Sequence, residues 1–309
     1  MSSAWTPADI GDLTGRTAVV TGPTLGGLGF HTALELARHG ARVVLAGRTP
    51  DKLDAAAEAI AAEVAGATTE PLVVDLSDLT SVRAAGATAV GLGPIHLLVN
   101  NAGIMAPPLR RTTDGLESQM ATNHFGPFLL TGLLLPSLVA SGDGRVVTVS
   151  SNGHRTARSA PLGDPRTPPR HYQRWLVYGQ TKLANLLFTY ELDRRARAAG
   201  LPVTALAAHP GYAGTHLLSY GQTMRSGGAV SSILDAVMRA TGQSAAQGAL
   251  PTLMAATADL PGDTYVGPAG LGEWRGLPQV TTSSRLSHDA DAQRRLWEIS
   301  EETVGLHWP

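Results

Sequence analysis

The sequence contains no cysteine. Disulfides, thiol nucleophiles and thiolate metal sites are therefore excluded, and a reducing compartment is the natural expectation. Net charge is also nearly absent, because 24 basic side chains meet 25 acidic ones. Such a balance gives no electrostatic footing for nucleic acid or an anionic membrane surface, and neither is expected as a partner. The opening residues, Met1 to Pro7, lack the basic-then-apolar layout of a signal peptide, so a cytoplasmic location is expected. Long apolar runs are missing too. The most apolar stretch, Phe125 to Ala140, is short for a bilayer and carries Pro127, Thr131, Pro136 and Ser137. It reads as a buried helix, and no membrane span is expected. None of the ten histidines forms a His-x-x-x-His pair or joins acids at ligand spacing. No metal site is expected, and His31 and His124 read as packing or capping residues. A Ser151…His154 pair lacks the Gly-x-Ser-x-Gly elbow of an esterase nucleophile and is set aside. Linkers, low-complexity tracts and internal repeats are missing as well, so the 309 residues read as one domain, 1–309.

What is present is a regular alternation. Short, nearly continuous apolar runs predict strands at Thr17–Thr21, Arg42–Ala46, Pro71–Val74, Ile95–Val99, Arg145–Val149 and Val203–Ala207. Continuous rather than alternating apolar character suits parallel strands covered on both faces. Between them, helices are predicted at Phe30–His39, Lys52–Val64, Leu79–Ala89, Glu117–Val139 and Trp175–Ala199. Gly40 stands where a helix-ending glycine belongs, and Thr49-Pro50 reads as an N-cap followed by proline in the first helical position. The expected class is α/β: a single-domain Rossmann fold, its doubly wound parallel sheet of about seven strands carrying helices on both faces. Residues from about 152 to 175, rich in proline, glycine and arginine, read as a long loop that would border a substrate. Leu296, Trp297, Ile299 and Val304 recur near helical spacing in the tail, which is expected to pack on the domain.

The first strand runs directly into Thr21-Gly22-Pro23-Thr24-Leu25-Gly26-Gly27-Leu28-Gly29 and then a helix. Glycines there let backbone N–H groups and a helix N-terminus approach a diphosphate. Gly22, Thr24, Leu25, Gly27, Leu28 and Gly29 are the candidate diphosphate-binding residues. The second strand ends at Ala46-Gly47-Arg48, where an NAD site usually places a carboxylate for the adenosine 2′-hydroxyl. Arg48, with Thr49 and the nearby Lys52, suits a 2′-phosphate instead, because a guanidinium binds it through charge-assisted hydrogen bonds. The expected cofactor is NADP(H).

Tyr178 and Lys182 lie four apart in a predicted helix and so share a face. Interconverting a carbonyl and an alcohol needs a group that gives or takes the hydroxyl proton. A free phenol titrates near ~10, and an adjacent ammonium is expected to lower that value. Ser151, at the end of the fifth strand, can hydrogen-bond a substrate oxygen as charge develops on it. Asn100 to Gly103 end the fourth strand in the same crevice. Asn123 occupies a helix interior, where asparagine is unfavourable without a polar task.

These motifs together resemble the short-chain dehydrogenase/reductase family. The likeness runs from Leu13 to about Gly305 through the glycine loop, Asp75-Leu76, Asn100–Gly103, Asn123, Ser151, Tyr178/Lys182 and His209-Pro210-Gly211. Phe30-His31-Thr32-Ala33, Ala46-Gly47-Arg48 and Thr181-Lys182-Leu183-Ala184-Asn185 make it most similar to the retinol-dehydrogenase-like and protochlorophyllide-reductase-like branch. The resemblance implies that Tyr178 is the acid/base, that Lys182 lowers its pKa and binds the nicotinamide ribose, and that Ser151 polarises the carbonyl. Asn123 would hold a proton-relay water. Asp75 and Leu76 would contact adenine, Asn101, Ala102 and Gly103 would line the cofactor, and Pro210, Gly211 and Thr215 would stand by the nicotinamide amide. It further implies a substrate lid over about 212–245, a small lipophilic or aromatic carbonyl/alcohol substrate, and pairing into a homodimer or homotetramer. The glycine loop has four residues, Pro23 to Gly26, where the family has three, and the extra one is expected to bulge outward. Two other readings stay open: a non-redox isomerase or cyclase on the same fold, and a non-catalytic NADP(H)-binding sensor.

Overall fold

The structure, a computed structural model, describes residues 4–167, 171–212 and 243–308. Its centre is an eight-stranded sheet: β1 (Thr17–Thr21), β2 (Arg42–Gly47), β3 (Thr69–Val73), β4 (Leu97–Asn100), β5 (Gly144–Val149), β6 (Val203–Ala208), β7 (Tyr265–Pro268) and β8 (Pro278–Thr281). The spatial order is β3-β2-β1-β4-β5-β6-β7-β8. All neighbours are parallel except the last pair, in which β8 returns antiparallel to β7. Strand order reverses between β1 and β4, so a crevice opens beyond the C-terminal ends of those two strands. The expected Rossmann architecture is what the chain adopts, with the sheet extended to eight strands by β8.

Strand side chains alternate between two cores. Val19, Val44, Leu98 and Val146 face one side, where they meet α3 (Leu79–Ala89), α5 (Gly126–Ala140), α6 (Arg174–Ala198) and α8 (Ala290–Val304). Val20, Val43, Leu45, Val99 and Val147 face the other, against α1 (Leu28–Arg38), α2 (Pro50–Glu63) and α7 (Ala245–Thr257). The tail packs as expected, Trp297 lying edge-on to Phe128 at 4.9 Å between ring centroids. His124 packs in the same aromatic group and hydrogen-bonds Ser300 Oγ at 2.8 Å, and burial pulls its pKa down to about 3.

Two expectations need amending. The helix predicted over Glu117–Val139 is found one residue later at each end, and what needs amending is the expectation that its apolar part is short for a bilayer. It runs continuously over Ser118–Ala140, 23 residues, long and apolar enough by composition to cross a membrane. However, 72% of its most apolar window is buried within the protein, which makes it the core helix under β4 and β5. It is also not uniform: α4 (Ser118–Met120) passes through a π-helical turn at Ala121–Phe125 before α5 begins. The second amendment concerns the strands, because β3 begins two residues earlier and β4 two residues later than predicted. The residues ahead of β4 still hold the sheet, since His96 Nδ1 accepts the Thr17 N–H at 3.1 Å.

Gly126, where α5 starts, lies against the main chain that follows β3. A methyl group there would overlap the Leu76 carbonyl oxygen and lie 2.9 Å from its carbon. Gly126→Ala is therefore expected to destabilise by about 1–3 kcal/mol through overpacking. Gly91→Ala, with nothing within 4 Å of the added carbon, should change stability by less than about 0.5 kcal/mol. Urea unfolding of the two variants checks this, and equal midpoints would rule out the close approach.

Candidate active site

At the strand-order reversal, β1 and β4 end in a polar clamp. Thr21 Oγ1 accepts the N–H groups of Asn101 and Ala102 at 3.0 and 2.9 Å, and Asn101 Nδ2 donates to the Thr21 carbonyl at 2.7 Å. Gly29 lets α1 close onto this clamp, since a methyl group there would overlap Asn101 Nδ2 and lie 2.6 Å from the Gly22 carbonyl oxygen. Gly22 has φ +68°, and an added carbon would stand 3.0 Å from Ala102 Cα. The extra residue of the loop is absorbed in a tight turn over Thr24–Gly27. Gly27 N–H closes it on the Thr24 carbonyl at 2.9 Å, and Gly26 takes φ +70°. Leu25 turns outward and is 42% exposed. Helix α1 then begins at Leu28, with first-turn N–H groups that have no partner within the helix.

The loop borders a cavity of about 480 Å³. Of the predicted cofactor residues, Gly22, Thr24, Leu25, Gly27, Leu28, Arg48, Thr49, Asp75, Leu76, Asn101, Ala102, Gly103, Tyr178, Lys182, Pro210 and Gly211 line it, as does Ser151. Gly29 does not; it supports the clamp from behind. Thr215 and most of the predicted lid lie outside the described residues. Arg48 and Lys52 stand exposed at one end of the cavity, in no ion pair among the described residues. Asp75 Oδ1 is occupied by Ser77, whose N–H and hydroxyl donate to it at 2.9 and 2.6 Å. A diphosphate nucleotide suits this cradle: glycines where a side chain would intrude, a helix N-terminus, and cations at the far end of β2.

The other end is built by β5 and α6. The Val149 carbonyl accepts from Lys182 Nζ at 3.0 Å and from Asn185 Nδ2 at 3.1 Å, and Ser150 Oγ donates to the Lys182 carbonyl at 2.8 Å. These bonds fix the register of helix and strand, so that Tyr178, one turn before Lys182, faces Ser151. Lys182 is 5% exposed, and its burial pulls the ammonium down to about 8. The expected lowering of the Tyr178 pKa is not found. Desolvation raises it, and the Ser151 hydroxyl is what opposes. The ammonium lies 5.8 Å from the ring centroid and spends a bond on Val149, so its field on the phenol does not overcome burial.

Asn123 lies in the π-helical turn, 1% exposed and behind the cavity wall. Its amide clamps the main chain of Ile104, accepting the N–H at 2.8 Å and donating to the carbonyl at 2.9 Å, and reaches Thr181 Oγ1 at 3.0 Å. It thereby ties the loop after β4 to α6, close to Gly103 and Lys182. The polar task expected of a helix-interior asparagine is thus found, and π turns are frequent at functional sites.

Sequence reasoning missed Ile104 and Met105 in the wall, whereas Trp175 ends the stretch expected to border a substrate and Tyr212 opens the expected lid. Ile104, Met105 and Trp175 line the cavity. Trp175 is 53% exposed and lies edge-on to the Tyr178 ring, with centroids 6.3 Å apart. The legible signal was its spacing, three residues before Tyr178 on the same helical face. Tyr212 also lines the cavity and stacks on Trp274 at 5.5 Å.

The family model for short chain dehydrogenase matches residues 16–161. Retinol dehydrogenase 13 of Homo sapiens is 36% identical over 301 residues, 96% of this chain and 86% of that protein. A crystal structure of an uncharacterized protein from Mycobacterium Paratuberculosis matches with TM-score 0.81 and 43% identity, over 99% of this chain and 100% of the other. A structure from Beutenbergia cavernae described as a candidate NAD(P)-dependent gluconate 5-dehydrogenase, holding NADP at low occupancy, matches with TM-score 0.61 and 25% identity over 80% of this chain and 91% of the other.

The chain has two lysines, Lys52 and Lys182, which makes the buried one directly observable. With ¹³C-labelled lysine, the signal that disappears in Lys182→Arg is expected to titrate with a midpoint of about 8. Burial depresses the folded-state pKa, so the proton leaves between that value and the ordinary ~10.4, where a free lysine keeps it. A midpoint at the ordinary value would contradict the buried geometry.

Proposed function

The chain belongs to the short-chain dehydrogenase/reductase family, and from that premise we propose that it is an NADP(H)-dependent oxidoreductase reducing a lipophilic or aromatic carbonyl compound to an alcohol. One observation carries the reading. Ser151 and Tyr178 face each other on the wall of the same cavity whose other end is bordered by Arg48 and Lys52. The chemistry supplied by the bound nicotinamide is hydride transfer.

The remaining work falls to the chain's own groups. A phenol is protonated at neutral pH even at its ordinary value of about 10, burial keeps Tyr178 so, and the protonated form is the one that can give a proton to a carbonyl oxygen. Tyr178 gives its proton to the carbonyl oxygen. The Ser151 hydroxyl donates to that same oxygen, where negative charge develops. Lys182, cationic below about pH 8, stabilises the phenolate left behind and holds the nicotinamide ribose. Arg48 and Lys52 pair with a 2′-phosphate, where a carboxylate would repel it. Ile104, Met105 and Trp175 give the reacting end an apolar and aromatic wall, the environment a lipophilic carbonyl compound prefers. The relative named for retinol, itself a lipophilic alcohol, agrees with that class.

The test is NADPH consumption against a panel of aldehydes, ketones and quinones. Tyr178→Phe should lower kcat by about 10²–10⁴-fold, the usual worth of a positioned acid, with NADPH still bound. Arg48→Asp should raise the NADPH Kd by about tenfold or more and leave the NADH Kd much less affected, since a charge-assisted hydrogen bond is lost only with the former. NADPH binding with no carbonyl consumed would overturn the reductase reading. Equal losses for the two cofactors would overturn the 2′-phosphate assignment.

A further inference from the structure

His154 sits one turn from Ser151, and proton transfer as described leaves it without a task. It is fully buried, at 0% exposure. Its Nε2 accepts the Ser284 backbone N–H at 3.0 Å. A ring nitrogen that accepts carries no proton, so in the neutral imidazole the proton is on Nδ1. Nδ1 therefore donates to the Ser151 carbonyl, which lies 2.6 Å away. The same carbonyl also accepts the backbone N–H of His154 at 3.0 Å. The ring stands edge-on to Tyr265, with centroids 5.8 Å apart and planes at 89°. Burial pulls its pKa to about 4, so this tautomer persists through the neutral range.

The opposite side of the turn is equally constrained. Ser151 Oγ accepts the Gly153 N–H at 3.1 Å. A side chain at Gly153 would bring carbon to 3.1 Å from the Tyr178 ring and 3.4 Å from Ser151 Oγ. Residues 151–154 are thus held between the Tyr178 ring and the His154–Ser284 bond. Any rotation of the Ser151 peptide moves its hydroxyl relative to the phenol.

We propose that His154 is a positioning residue for carbonyl reduction, fixing the Ser151 peptide through paired hydrogen bonds so that the serine hydroxyl stands beside the Tyr178 phenol. The inference rests on the reductase reading of the same site. Its chemistry is a neutral donor–acceptor bridge from the Ser151 carbonyl to the Ser284 N–H, and no proton moves through it.

Two amides divide the ring's bonds between them. In His154→Asn the amide nitrogen reaches the place of Nδ1 and keeps the bond to Ser151; in His154→Gln the amide reaches toward Ser284 and loses it. The full-length protein is assayed with NADPH and its best carbonyl substrate from the panel. His154→Gln should lower kcat about tenfold, the scale of one net hydrogen bond. His154→Asn should stay within about twofold of the parent, and the NADPH Kd should be unchanged in both. In a Ser151→Ala background the loss in His154→Gln should shrink to less than about twofold, because the two residues act through one hydroxyl. Equal kcat in the two amide variants, or a loss that multiplies unchanged with Ser151→Ala, would overturn the proposal while leaving the reductase reading standing. A parent protein that binds NADPH and reduces no carbonyl of the panel overturns both together.

Discussion

The structure depends on the clamp between Thr21 and Asn101. Where the strand order reverses, neighbouring strands connect to helices on opposite faces, and their ends are drawn apart. Two buried strand ends with free peptide groups would each cost free energy comparable to a lost hydrogen bond. The threonine hydroxyl and the asparagine amide satisfy those groups mutually, which holds the crevice open without leaving it raw. Gly29 is part of this arrangement, because any side chain there would strike the asparagine amide. The glycine loop is therefore shaped as much by the protein behind it as by a ligand in front of it. That is also why the extra residue is tolerated: the fixed points are Gly22 and Gly29, and a turn closed by Gly27 on Thr24 takes up the difference on the exposed side.

The reacting end has a different economy. Lys182 and Tyr178 are both taken from water, and desolvation drives each toward its neutral form: the ammonium down, the phenol up. Burial of a charge is costly unless it is hydrogen-bonded, and the Val149 carbonyl answers that need for Lys182. The same carbonyl receives Asn185, so one strand end anchors α6 at two successive positions of one face. Position and proton affinity are thus set by the same contacts. Burial favours the neutral form of each group, the phenol already protonated at neutral pH and the ammonium made easier to deprotonate.

Much of this was legible in sequence. Helix α3 falls on the predicted residues, the Thr49-Pro50 start and the Gly40 stop are found, and the glycine loop, Ser151, Tyr178 and Lys182 meet in one cavity. The omissions have physical reasons. β7 and β8 are four-residue strands holding glycine and prolines, too short for a periodicity to show. Helix α7 carries Gly248 and Pro251 in its interior, which masks it; the Ser244/Gln247 capping box was the available signal. The π turn at Asn123 shifts the phase of its helix, but α5 is apolar and buried nearly all round, so the sequence shows no break in pattern. The direction of the Tyr178 shift was misjudged because pairing is visible in a spacing, whereas desolvation is a property of the finished fold.

The segment that follows the expected βα repeats is what completes the reacting end. Antiparallel β8 carries the chain back toward Ser284, which meets His154, while the turn between β7 and β8 places Trp274 against Tyr212 and Glu273 beside His209. His209 Nδ1 accepts the Gly211 N–H at 3.2 Å, so its proton lies on Nε2, 3.0 Å from the Glu273 carboxylate. Gly211 takes φ +66°, and a side chain there would also run into the Trp274 carbonyl and Pro268. Glu273 itself sits at φ +58°, an uncommon conformation for a side-chain-bearing residue. Bonds from Thr281 and a close His209 hold it there. Both segments that border the Tyr178 end of the cavity, 151–154 and 209–212, are thus braced from behind by residues 273–284. The glycine loop and its clamp make a nucleotide crevice that the first four strands already define. Ser151 and the Pro210-Gly211 wall are held in place by contacts from the C-terminal hairpin, so the packing of that hairpin and the geometry of the Tyr178 end of the cavity are one property of the fold.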